Sequence, residues 1–128
     1  MLELLKQTAT YLESNGVGSQ ALTLFYGQLP ATPAGVTAIL AAPGVREPFE
    51  SGLRNLSIQV LVRDTTFDVA SSRADTVFSL LDNQWNILTT IQGRWMAQNS
   101  TGAHFRDTNN FPVFTLNFNL ITTTANTF

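Results

Sequence analysis

The chain has 128 residues, no cysteine, one histidine and one lysine, and only 12% of it is charged, with seven Lys plus Arg against nine Asp plus Glu. That length points to a single domain, residues 1–128, able to bury roughly two thirds of the surface its unfolded form exposes. Missing thiols remove disulfides and cysteine-ligated zinc, the slight acidity argues against gripping a phosphate backbone, and no apolar run approaches the roughly 18 residues of a membrane span.

Leu2, Leu5, Ala9 and Leu12 recur at helical spacing and Ser14-Asn15-Gly16 offers a left-handed stop, which places a helix over residues 2–14. Its start, "MLELLKQTATYLESNG", lacks the basic region and unbroken apolar block of a secretory signal. Strands are expected over about 21–26, "ALTLFY", and 36–42, "VTAILAA", paired as a hairpin across the Pro/Gly-rich "GQLPATPAG". Residues 42–54, "APGVREPFESG" and its flanks, read as a long loop or arm.

Over 55–63 the chain alternates. Leu56, Ile58, Val60 and Val62 face one way and Ser57, Gln59 and Arg63 the other, with Leu61 making the second face only partly polar. A helix over 66–82 follows, its stripe made of Phe67, Ala70, Ala74, Val77, Phe78 and Leu81. Burying the four large members of that stripe contributes about 1.5–3 kcal/mol each before chain entropy, so the helix has to pack on the sheet. Strands over about 91–98, with a bulge expected at Gly93, and over 111–121 flank a long loop, 99–110. In the last strand Phe114, Leu116, Phe118 and Leu120 oppose Thr115, Asn117 and Asn119, the pattern of a sheet covered on one side. The expectation is α+β: a two-layer, mainly antiparallel mixed sheet of four to five strands with two helices packed on one face.

The charged pair Arg63-Asp64 sits where strand turns into helix. Asp64 or Thr65 can cap the helix, and with Thr65 as cap Asp68 falls at the third helical position beside the positive end of the dipole. Capping accounts for the pair without chemistry. His104 with Asp107 sketches a base and its orienting carboxylate, but no partnered nucleophile accompanies them, so a hydrolase is only an alternative reading. One histidine and scattered carboxylates show no metal-ligand clustering, and Gly16-Val17-Gly18 follows a helix, unlike a phosphate cradle. No cofactor is indicated. Trp85 or Trp95 could stack on a sugar, although Trp95 on its strand reads as core. Asn99-Ser100-Thr101 matches a glycosylation acceptor that means little without a secretory signal. Few charges, many amides and no nucleophile favour a part of an assembly over a catalyst.

"LTLFYGQLPATP", "IQVLVRDTTFDVASSRADTVFSLLDN" and "HFRDTNNFPVFTLNFNLI", in that order, resemble the tail terminator proteins of long-tailed bacteriophages, also called minor capsid proteins. The strand-Arg-Asp-helix block is the most specific segment, supported by residues 24–30 and by Arg106-Asp107. The resemblance implies a sheet with helices on one face and a structural virion subunit, by family habit a hexameric ring, assembled in the host cytoplasm. Such a ring caps the head-proximal end of the tail tube and joins it to a head-closure or connector protein. DNA would pass through it without specific binding, and no membrane is involved. Another neck or head-completion protein is the alternative within the virion. The low charge and the "PGVREPFESG" arm depart from the family pattern.

A closed ring needs two different complementary patches on each subunit. The polar sheet face, with Gln59, Arg63, Asn117 and Asn119, is one candidate. The arm, with Arg46, Glu47, Phe49 and Arg54, is the other, Phe49 serving as an aromatic anchor; His104, Arg106 and Asp107 are further loop contacts.

Overall fold

The computed structural model describes residues 2–42, 53–99, 102 and 104–123. Two helices, α1 (Leu2–Ser14) and α2 (Phe67–Leu81), pack on a sheet of seven strands: β1 (Leu24–Tyr26), β2 (Val36–Ala42), β3 (Leu53–Arg63), β4 (Gln84–Trp85), β5 (Gly93–Ala97), β6 (His104–Arg106) and β7 (Pro112–Thr123). The order is β1-β2-β3-β7-β5-β4, and β6 pairs the stretch of β7 that β5 leaves free. The sheet is open and mixed, as the α+β reading requires.

α1 ends as "SNG" foretold. Gly16 takes φ +82°, Val17 N–H bonds the Leu12 carbonyl at 3.0 Å and Gly16 N–H that of Glu13 at 3.1 Å, with Val17 tucked into the core beyond the helix end. α1 lies over β1 and β2 while α2 lies over β3, β5 and β7. Between helices and sheet Leu4, Leu12, Ile39, Ile58, Val60, Val77, Leu81, Trp95, Phe114, Leu116, Phe118 and Leu120 form one cluster, all 1% exposed or less. We call this the inner face. Gln7 is buried among these groups because its amide oxygen accepts from the N–H of Thr90 and Ile91, which ties the segment before β5 to α1.

Four local expectations change. β1 and β2 do pair, but in parallel, with Leu24 opposite Thr37 and Tyr26 opposite Ile39. A parallel connection must carry the chain back to the start of the next strand, so 27–35 crosses the sheet and is not the tip of a hairpin. β1 begins only at Leu24, because residues 19–24 form a turn in which Ala21 takes φ +64° and Ser19 carbonyl accepts from three following N–H groups. Gly93 is regularly paired with Thr122 and is no bulge; a Cβ there would collide with the Ile121 carbonyl, so the glycine serves close backbone approach. The expected loop 99–110 contains β6, which makes a hairpin with β7, and the expected four to five strands become seven through the short β4 and β6. Periodicity cannot reveal strands of two or three residues.

Asn99 explains how β5 and β6 share one edge of β7. Its side-chain oxygen accepts from Asn117 N–H at 3.1 Å and its amide donates to Thr115 carbonyl at 3.3 Å, filling the gap between the two strands as backbone would.

Candidate interaction surface

The opposite side of the sheet, the outer face, carries Ser57, Gln59, Leu61 and Arg63 of β3, Val113, Thr115, Asn117, Asn119 and Ile121 of β7, and Arg94 and Met96 of β5. It is finished in two halves. At one end the 27–35 crossover folds over it, and Ala38, Leu61 and Val113 form a small second core with Leu29 and Leu40. At the other end no described residue covers it.

Arg63 holds the crossover down. It is 4% exposed, and its guanidinium donates to the carbonyls of Pro30, Pro33 (2.9 Å) and Ala34 (3.0 Å) while lying 3.9 Å from the Asp107 carboxylate. Arg63 is thus removed from the list of surface contacts: it is an internal latch joining β3, the crossover and the β6–β7 turn. Burying an arginine requires many acceptors at once, and three backbone carbonyls supply them.

Asp64 and Thr65 do not cap α2. The cap is Thr66, in extended conformation, whose hydroxyl accepts from Val69 N–H at 3.4 Å, so Asp68 falls at the second helical position. Asp64 has other partners. It accepts from Thr65 N–H at 2.7 Å and from Arg73 Nη2 at 2.6 Å, and Arg73 also donates to Arg63 carbonyl. Burial pushes the Asp64 carboxyl up, but the Thr65 N–H, Arg73 and the Thr65 hydroxyl outweigh it and hold the group below the usual aspartate value. Gly35 completes the junction, since a Cβ there would sit 2.9 Å from Asp64 Oδ2.

His104 and Asp107 are not brought together as a dyad. The imidazole stacks on Phe114 (centroids 5.1 Å apart) and meets the edge of Phe67 at 5.2 Å, with Nδ1 3.1 Å from Gly102 carbonyl. Asp107 accepts from the N–H groups of Asn109 and Phe111 and faces Arg63, while Arg106 donates to Asn110 carbonyl. These residues shape a turn. Phe67, expected in the buried stripe, is 44% exposed because its ring leans on His104 and Phe114 at the edge of the sheet; Ala70, Ala74, Val77 and Leu81 carry the stripe.

Gln59, Asn117 and Asn119 lie together on the outer face as half-buried amides. Gln59 donates to Asn117 at 3.3 Å, and Asn119 accepts from Ser57 at 3.1 Å and from Gln98. Arg54 is on β3, and Arg46, Glu47 and Phe49 lie outside the described residues. The sequence named Trp85 only as a sugar platform and gave no sign of the corner around it. Trp85 is 62% exposed with the Arg94 guanidinium 5.3 Å from its ring, and Met96 and Ile121 are 39% and 36% exposed beside it. Trp95, one pleat away, is buried as core. Two large apolar groups, an indole and an arginine on an open face form a surface suited to protein contact, with amides beside it to set register.

Residues 11–124 match the protein family described as bacteriophage tail terminator protein. Among solved structures, a chain of the virion of a native gene transfer agent particle aligns with a TM-score of 0.56 at 16% identity, covering 95% of this chain and 90% of that one. A second solved chain aligns with a TM-score of 0.52, also at 16% identity, covering 91% and 89%. Both likenesses are of fold. No curated protein matches the sequence.

Proposed function

The chain belongs to the bacteriophage tail terminator family, whose members are structural virion proteins, and on that premise we propose that it forms a hexameric ring that caps the head-proximal end of the tail tube. In that role it stops tube growth and presents a surface to a head-closure or connector protein, at the tail–head junction of a virion assembled in the host cytoplasm. DNA passes through the ring without specific binding, in keeping with a net charge of −2. The work is done by shape and not by bond-breaking.

The observation that carries this reading is the match of the family over residues 11–124, and the half-open outer face supports it. A head-to-tail ring consumes one such face per subunit. Gln59, Asn117 and Asn119 belong to that contact, and the arm with Arg46, Glu47 and Phe49, which leads into Arg54 of β3, reaches the adjacent subunit. His104, Arg106 and Asp107 shape the end of the subunit that meets tube or connector.

Electron microscopy of particles made without this protein tests the reading. Abnormally long tails are expected; normal free tails beside unjoined heads would instead identify another neck or head-completion protein. Replacing Phe49 by Ala should weaken ring assembly, and unchanged rings would remove the arm from the contact.

A further inference from the structure

The sheet cannot easily extend itself edge to edge. β1 has three residues and β4 two, the Ala97 N–H at the β5 edge is taken by the Asp82 carboxylate at 2.8 Å, and Asn99 fills the break between β5 and β6. Short, plugged edges oppose strand addition. A contact between copies therefore falls to faces, and the open corner of the outer face exposes Trp85, Met96 and Ile121 together.

That corner specifies its occupant by charge. Arg94 Nε and Asn55 Oδ1 flank Ile121 across the sheet and are both buried atoms without a hydrogen-bond partner among the described residues. Among the described residues Arg94 makes no ion pair; its Nη2 donates to the neutral Asn83 side-chain oxygen at 3.1 Å. On the far side of the molecule the exposed ridge of α2 carries Asp68, Ser72 and Asp75, and neither aspartate makes an ion pair among the described residues. Two corners facing each other in a two-fold dimer would set Arg94 against Arg94. Corner against ridge sets Arg94 against carboxylate, and lets Trp85 and Met96 rest on small side chains.

We propose that the Trp85, Arg94, Met96 and Ile121 corner of one copy seats on the Asp68–Ser72–Asp75 ridge of α2 of the next. This deepens the ring reading and rests on it. The two patches lie on opposite sides of a two-layer domain, so the contact is head-to-tail and not a two-fold pair, and it closes into a ring when the rotation from copy to copy closes. Trp and Arg are the residues that most often dominate such interfaces.

Native mass measurement of the chain, alone and with tail tube subunits, tests the contact. Arg94→Glu and Asp75→Arg each weaken ring formation by roughly tenfold or more, and the double variant recovers it. Asp75 is exposed and Arg94 half-buried, and unchanged thermal melts separate lost assembly from lost fold. The absence of native cysteine allows a second arm: Met96→Cys with Ser72→Cys in one chain yields, on oxidation, a ladder of covalent oligomers beyond the dimer, and either change alone does not. Wild-type rings with no ladder, together with charge variants that assemble normally, would overturn this contact and leave the ring reading standing. A wild-type chain that stays monomeric beside tube subunits overturns the ring reading and the contact with it.

Discussion

On the inner face of the sheet Ile58, Val60, Phe118 and Leu120 are sealed under two helices, whereas one pleat away Gln59, Asn117 and Asn119 stand half open beside Met96 and Ile121. The same two strands, β3 and β7, supply both sets. Alternation lets one ladder serve two ends. Inner residues supply apolar burial that stabilises the fold, and outer residues hold amides and a few apolar groups in register on the open side. The outer face is also divided along its length, into an end closed by the crossover and an end left open. Arg63 is what keeps the two ends different.

Breaking the contrast between faces should give the largest effect. Phe118→Ala removes a fully buried ring that touches Phe78 and Trp95, and should cost about 3–5 kcal/mol in denaturant melts. Asn117→Ala, one residue earlier on the open side, should stay within about 1 kcal/mol because its partners remain near water. Equal losses at the two positions would mean that the outer face is as structural as the inner.

The next effect tests the division within the outer face. Arg63→Met keeps much of the side-chain length but strips the donors from three carbonyls and leaves Asp107 without its cation. A loss of about 1–3 kcal/mol is expected, the range for buried acceptors left unpaired. Limited proteolysis should then cut within 27–35 before any other described segment. A variant with wild-type stability and a protected crossover would show that Arg63 is not the latch.

These two faces were unequally legible in the sequence. The two-layer α+β class followed from period-2 runs at 56–62 and 114–120 and from the stripe Ala70, Ala74, Val77 and Leu81, because burial on one side leaves a regular trace. The outer face leaves none where a loop covers it. Leu61 was the single hint, an apolar residue on the polar side, and it packs in the small core beneath the crossover. Arg63 looked like a surface residue because its acceptors are carbonyls of Pro30, Pro33 and Ala34, and backbone oxygens have no sequence signature. Trp85 and Arg94 are nine residues apart and meet only because β4 and β5 pair, a register set by a two-residue strand. Asn99 matched a glycosylation pattern, yet its amide stands in for missing backbone.

A smaller effect separates the two residues that compete for the helix start. Thr66→Ala removes the side-chain acceptor for Val69 N–H, a bond already long at 3.4 Å, and should cost about 0.5 kcal/mol, the low end for a lost cap. Thr65→Ala should cost less. The reverse order in thermal melts would return the cap to Thr65.

The effect that depends on pH, and the most diagnostic, belongs to Asp64. Its folded carboxyl sits below the usual aspartate value, so the unfolded chain takes up a proton first as pH falls. The stability it contributes is fully present above the unfolded value of about 3.9, is lost as pH drops from there through the folded value, and is gone once both states are protonated. Asp64→Asn should therefore be less stable than wild type at pH 7, by about 1 kcal/mol or less for a pair still partly open to solvent, and salt should narrow the gap. As pH is lowered through the acid range the two melting curves should converge. A gap that stays constant down to pH 2 would show that the hydrogen-bonding shape of residue 64, and not its charge facing Arg73, holds the strand-to-helix junction.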